Sequence, residues 1–90
     1  MSEETPRLEQ IFPQRVPLKI IGRGEEMNPA AMAALIEQHL GPQPEEDRPH
    51  YTNQKGAYTS FTFWVVLPSE LAELPLRTAL QALPGVVMQL

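Results

Sequence analysis

Residues 57–67 read AYTSFTFWVVL, and this stretch decides the fold. Its aromatic and β-branched residues are those that favour a strand, and every second position is strongly apolar. One predicted face holds Phe61, Phe63, Val65 and Leu67, and the other holds Tyr58, Ser60, Thr62, Trp64 and Val66. The stretch therefore predicts a long strand whose phenylalanines point into a core while Trp64 and Tyr58 lie on the opposite side.

A second strand is predicted upstream, over residues 14–21. Val16, Leu18 and Ile20 alternate there with Pro17, Lys19 and Ile21. Proline has no backbone N–H, so Pro17 must lie where the sheet needs no hydrogen bond from that position. Two shorter strands are predicted over residues 50–53 and 86–90, and the turn at residues 54–56 contains Gly56, which tolerates a positive φ.

The two helices have clear end signals. Asn28 is a good N-cap, Pro29 suits the first helical position, and Gly41 followed by Pro42 ends the first helix. The buried stripe of this helix is predicted to consist of Met32, Leu35, Ile36, His39 and Leu40. The second helix is predicted over residues 74–83, with Pro75 in its first turn and a separate short turn over residues 69–73.

The resulting order β-α-β-β-α-β predicts an α+β, ferredoxin-like sandwich. Short, right-handed connections give a four-stranded antiparallel sheet of order 4-1-3-2, with both helices on one face. Ninety residues make one domain, which we expect to span residues 11–90 behind a polar tail of residues 1–10.

The composition indicates an expected cellular location and disfavours one class of partner. The chain has no cysteine, no apolar run long enough to span a membrane and no signal-peptide pattern, so the cytoplasm is the expected location. Its net charge of −4 argues against general nucleic-acid binding, which depends on a basic excess.

Several stretches together resemble the YbeD family of bacterial proteins. They are LKIIG at residues 18–22, KGAYTSFT at residues 55–62 and VVMQL at residues 86–90, with a helix that ends near His39. The resemblance spans about residues 12–90, and the chain departs from it in the proline-rich loop 41–49 and at Pro75. It implies a ferredoxin-like fold similar to the ACT-type regulatory domains of metabolic enzymes. The family has no established function or catalytic residues.

The uncovered face of the predicted sheet contains the main candidate binding residues, namely Lys19, Tyr58, Ser60 and Trp64. Trp64 and its apolar neighbours favour a homodimer interface or a site for another protein, because such apolar area is seldom left wet. Two other interpretations remain. Lys19 and Tyr58 are a structural cross-strand pair in one, and in the other Lys19 and the hydroxyls of Ser60 and Tyr58 hold a small anionic ligand.

The loop after the first strand is a second candidate site. Gly22 and Arg23 precede a helix start, where free N–H groups attract anions, and in ACT-like domains the corresponding loop often lines the effector site. A dinucleotide-binding fingerprint is incomplete, because Met27 stands where the third glycine is required. A tight turn alone is the favoured explanation of these glycines.

No cofactor, metal or catalytic residue is predicted. His39 and His50 have no local carboxylate partner in a metal-ligand pattern, and the acidic run at residues 45–47 lacks the spacing of a calcium loop. A triad of Ser60, Asp47 and a histidine lacks the sharp turn that exposes a nucleophilic serine. RNA binding through the open sheet face is a weaker alternative, because Ala57, Thr59 and Thr62 stand where the RNA-recognition pattern has aromatic residues.

Overall fold

A single four-stranded antiparallel sheet organises the chain in the computed structural model, which describes residues 11–45 and 50–90. The strands are β1 (Gln14–Gly22), β2 (Tyr51–Lys55), β3 (Tyr58–Leu67) and β4 (Val86–Gln89), and the helices are α1 (Pro29–Leu40) and α2 (Glu73–Gln81). The strand order β2-β3-β1-β4 is the predicted order 4-1-3-2 counted from the other edge. The α+β, ferredoxin-like prediction is therefore confirmed.

Both helices pack on the face of the sheet that holds the phenylalanines. The core includes Leu18, Ile20, Phe61, Phe63, Val65 and Leu67 from the two central strands, Met32, Ile36 and Leu40 from α1, and Leu76 and Leu80 from α2. Every second residue of β3 is buried in this core, as the alternation predicts. The intervening residues lie on the opposite, helix-free face, which is called the open face below.

The helix ends follow their sequence signals. The Asn28 side chain accepts hydrogen bonds from the backbone N–H groups of Ala30 and Ala31, at 3.0 and 3.3 Å. Gly41 has a φ of +85°, which ends α1 at little steric cost. A 3-10 turn over Glu70–Ala72 precedes α2, in agreement with the short turn predicted there.

Several predicted element boundaries are wrong by one or two residues, including the ends of β1 and β4, which lie at Gly22 and Gln89. β2 begins at Tyr51 and continues to Lys55, because the turn consists of Gly56 and Ala57 and Lys55 pairs directly with Tyr58. β3 accordingly starts one residue late. α2 starts at Glu73 and ends at Gln81, so Leu83 lies outside the helix, where it still packs against the core. The predicted tail at residues 1–10 lies outside the described residues.

The hydrogen bonds between strands fix the direction in which each backbone group points. Lys19 and Leu90 exchange two backbone hydrogen bonds, of 3.2 and 2.8 Å, so the polar groups of Lys19 point toward β4. Alternation in an antiparallel ladder then directs the polar groups of Leu18 and Ile20 toward β3. The nitrogen of Pro17 points toward the β4 side of β1, like that of Lys19. Leu90 pairs with Lys19, so β4 has no residue opposite Pro17 that would need a hydrogen bond from it.

Candidate functional site

The open face combines exposed apolar residues with basic ones. Its β1 positions are Arg15, Pro17, Lys19 and Ile21, and they pair in register with Val66, Trp64, Thr62 and Ser60 of β3. Outer positions are supplied by Tyr51, Asn53 and Lys55 of β2, by Met88 of β4 and by Leu90 just beyond it. None of the four described strands contains Asp or Glu.

The open face has a shallow depression of about 300 Å³ at its end beside the β2–β3 turn. The depression is lined by Lys19, Lys55, Asn53, Tyr58 and Ser60 among others. Ser60 is only 8% exposed, and its hydroxyl donates a 3.4 Å hydrogen bond to the carbonyl oxygen of Asn53. The structure thus brings together three of the predicted binding residues, Lys19, Tyr58 and Ser60, and adds a second lysine.

Trp64 lies apart from this depression. The two sites are separated along β3, since Tyr58 and Trp64 are six residues, or about 20 Å, apart on an extended strand. The Trp64 side chain is 42% exposed, and the Arg15 guanidinium lies 4.4 Å from the centre of its ring. This distance is within the range of a cation–π contact, so Arg15 holds the ring against the sheet.

Sequence reasoning missed the apolar residues at the margins of the open face. Tyr51, Met88 and Leu90 are all exposed, at 67%, 46% and 61%. Their side depends on the register of two short strands, and short strands leave few positions from which to read a period. The strand register reveals which face these residues occupy, because Tyr51 lies opposite Thr62 and Met88 lies opposite Ile21.

Gln43 is a further residue that sequence reasoning missed. It lies in the loop after α1 and is 8% exposed. Its Oε1 accepts a 2.7 Å hydrogen bond from the backbone N–H of Val66, and its Nε2 donates to the carbonyl oxygen of Gly41 at 3.2 Å. The Gln43 side chain therefore replaces a strand partner beyond Tyr51, where the β2–β3 pairing stops.

Close packing against Gly85 explains the glycine at the end of β1, where the loop begins. A side chain at Gly22 would collide with the backbone carbonyl of Gly85, and the Arg23 N–H donates a 3.0 Å hydrogen bond to that same oxygen. Arg23 and Gly24 line a cleft of about 580 Å³, together with Gln54, Thr59 and Phe61. Phe61 belongs to the helix-covered side, so Arg23 and Lys19 line different depressions on opposite sides of the sheet.

The histidines lie on the helix side of the sheet. The His50 ring packs against Phe61 and Phe63, with ring centres 5.3 and 5.1 Å apart, and His39 lies in the last turn of α1. Ser60 belongs to the open face, so the sheet separates its hydroxyl from the His50 ring. Asp47, the third residue that such a triad would need, lies outside the described residues. Among residues 11–45 and 50–90, no three His, Asp or Glu side chains cluster as metal ligands would.

The fold and the open face together define a class of protein. The chain is a small ferredoxin-like α+β domain with one sheet face that the described residues leave uncovered. The same described part has no helix long and apolar enough to cross a membrane. A family model described as "Protein of unknown function (DUF493)" matches residues 9–90. The chain therefore belongs to this family, which is the one that includes YbeD, and the resemblance seen in the sequence is confirmed. Neither the curated proteins nor the solved structures contained a match.

Proposed function

We propose that this chain is a non-catalytic interaction domain of the regulatory type, whose open face binds an acidic segment of a partner protein. The observation that supports this function is the composition of the open face. It presents exposed aromatic and aliphatic side chains beside Lys19 and Lys55. Binding surfaces favour such aromatic and apolar groups, and opposite charge selects the partner.

The distribution of charge favours an acidic partner. The strands have basic residues and no acidic ones, although the whole chain has a net charge of −4. Described acidic residues lie in the helices, turns and loops, at Glu25, Glu26, Glu37, Glu45, Glu70 and Glu73. An acidic segment is therefore attracted to the sheet side of the molecule and repelled from the helix side.

The same charges disfavour self-association of two open faces. A two-fold axis brings identical surfaces together, so the basic face of one copy would meet the basic face of the other. Lys19 lies near the centre of this face and would be desolvated next to like charges. We therefore assign the open face to a different protein rather than to a second copy.

RNA is a less suitable ligand for this surface. Proteins that bind single strands stack successive bases on neighbouring aromatic rings. Tyr58 and Trp64 are about 20 Å apart along β3, and the positions between them on this face are Ser60 and Thr62. The net negative charge of the chain further weakens attraction to phosphates at a distance.

A small anionic metabolite is the second candidate ligand. The depression of about 300 Å³ favours it, because two lysines and two hydroxyl groups converge there. This function would match the effector-binding role of the ACT-type domains that the fold resembles. Metabolite binding differs from binding of an acidic protein segment, because it needs Lys19 and Lys55 but not Trp64, which lies outside the depression.

A non-catalytic role is supported by the position of Ser60. Its hydroxyl donates to a backbone carbonyl, and the His50 ring lies on the other side of the sheet. A serine nucleophile needs a base within hydrogen-bond reach. The absence of cysteine fits a reducing compartment such as the cytoplasm, where we expect the domain to work.

The test uses Trp64, the single tryptophan of the chain, as a fluorescent reporter on the open face. The full chain is titrated with a synthetic peptide of alternating Glu and Leu, with its Lys–Leu counterpart, with succinate and with a single-stranded RNA oligomer. We expect saturable, salt-sensitive binding of the acidic peptide alone. Succinate binding without peptide binding would favour the metabolite, and RNA binding would overturn the assignment to a protein partner.

Matched charge variants locate the site. Lys19→Glu reverses a charge on the open face, and Arg77→Glu reverses one on α2, on the helix side, where it also removes the partly exposed ion pair with Glu73. We expect the first variant to lose the acidic peptide and the second to retain it, with unchanged circular dichroism in both. Equal loss in the two variants would show that net charge and not the open face determines binding, and would contradict the proposal.

A further inference from the structure

The two edges of the sheet are protected to different degrees. At the β4 edge, the Gln81 side chain of α2 donates a 3.1 Å hydrogen bond to the carbonyl oxygen of Val87. The Gln89 side chain donates in turn to the Arg77 carbonyl at 2.8 Å, and the β1–β4 register shifts between Ile21 and Gly22. A covering helix and an irregular register are both common means of blocking an edge.

The β2 edge has neither protection among the described residues. All five residues of Tyr51–Lys55 are exposed, and their pairing with β3 has no register shift. The strand contains no proline, and its one charged residue is Lys55 at the end. An exposed regular edge of this kind presents unpaired N–H and C=O groups to another strand.

The backbone geometry identifies the groups that point outward. Thr62 and Ser60 direct their polar backbone groups toward β2, where they pair with Tyr51 and Asn53. Alternation then leaves the N–H and C=O groups of Thr52 and Gln54 pointing away from the sheet. Within residues 11–45 and 50–90, these four groups accept or donate no hydrogen bond to another element.

We infer that a second copy of this chain pairs with β2 in an antiparallel manner and forms a continuous eight-stranded sheet. A two-fold axis through Asn53 lets Thr52 and Gln54 of one copy exchange backbone hydrogen bonds with Gln54 and Thr52 of the other. Such a contact is closed and self-complementary, so it stops at a dimer. This inference is independent of the partner proposed for the open face.

The side chains of β2 are compatible with this register. The ring of Tyr51 lies beside Lys55 of the second copy, where the lysine stem and ammonium group can pack on it. The two copies of Lys55 are four residues apart along the strands, or about 14 Å, so their repulsion is weak. The open faces of both copies remain uncovered and join into one surface, which doubles the area available to an acidic partner.

The first experiment measures the oligomeric state of the full chain by sedimentation equilibrium. Thr52→Pro and Gln54→Pro each remove one outward N–H, and edge strands tolerate proline where no ladder bond is lost. We expect the unaltered chain and Thr52→Ala to sediment as dimers and both proline variants to sediment as folded monomers. A monomeric unaltered chain, or a dimer that persists in both proline variants, would overturn the inference.

The second experiment tests the register and does not depend on proline. The chain has no cysteine, so Asn53→Cys introduces a single thiol on the two-fold axis. Facing residues of a non-hydrogen-bonded antiparallel pair have Cα atoms about 4.5 Å apart, which suits a disulfide. Mild oxidation with oxidised glutathione should link Asn53→Cys into a covalent dimer and leave Val87→Cys, a control at the β4 edge, as a monomer. Equal cross-linking of the two variants would contradict pairing through β2.

Discussion

Phe63 and Trp64 are consecutive aromatic residues of β3 that lie in opposite surroundings. Phe63 is 3% exposed between the sheet and the helices, whereas Trp64 is 42% exposed on the open face with Arg15 over its ring. Burial of a large side chain stabilises the folded state, while a half-exposed ring leaves part of that free energy available for binding. The covered face therefore determines stability, and the open face is where substitutions should change binding with little effect on folding.

Phe63→Ala should have the largest effect on the free energy of unfolding. The substitution removes a ring from a closely packed core and leaves a cavity, which costs about 3–5 kcal/mol for a phenylalanine. Urea denaturation followed by Trp64 fluorescence measures this change, because the reporter lies on the opposite face. A loss below about 1 kcal/mol would mean that the phenylalanine face is not the core of the protein.

Gln43 caps the free edge of β3, and its substitution should have an intermediate effect on the free energy of unfolding. Gln43→Met keeps the length of the side chain but leaves the Val66 N–H without its 2.7 Å partner, at a cost of about 1–3 kcal/mol. Hydrogen exchange of the Val66 amide should become faster at the same time. If exchange at Val66 were unchanged while stability fell, the loss would come from packing and not from the hydrogen bond.

The sequence predicted the two faces of β1 and β3, but it did not predict how the edges of the sheet are completed. A strand with one buried face encodes its orientation in every second residue, so Leu18 and Phe61 were assigned to the core correctly. Gln43, Gln81 and Gln89 were not singled out, because glutamines in a loop, a helix and a strand give no periodic signal. Their roles depend on contacts between residues distant in sequence, as in the bond from Gln43 to Val66.

The residues of the candidate site were also only partly predicted. Lys19, Tyr58 and Ser60 were correctly placed on one face by the two-residue period, and the structure shows that they line one depression. Lys55 was assigned to a turn, although β2 includes it and places it across from Tyr58. The error arose because Gly56 can occupy several turn positions, and one residue of register decides which side chain reaches the face.

Trp64→Ala should have a small effect on stability and a large effect on binding. We expect the free energy of unfolding to fall by about 1 kcal/mol or less, the usual range for a partly exposed position. Circular dichroism measures this stability and isothermal titration calorimetry measures peptide binding, since the variant has no tryptophan. Leu71→Ala is the matched control, because Leu71 is an exposed apolar residue on the helix side, at 83%. Loss of the acidic peptide from both variants would remove the distinction between the two sides of the molecule.

Lys19→Met should have the smallest effect on folding. The methionine keeps most of the apolar stem that packs on the sheet and removes only the ammonium group, so stability should change by about 0.5 kcal/mol or less. Binding of the acidic peptide, followed by Trp64 fluorescence, should weaken by up to about fivefold, which corresponds to the 1 kcal/mol upper value for an exposed ion pair. The loss should disappear at high salt, because exposed charges are then screened. A loss that persisted at high salt would mean that Lys19 contacts the peptide through its stem, and the open face would then recognise apolar shape without selecting charge.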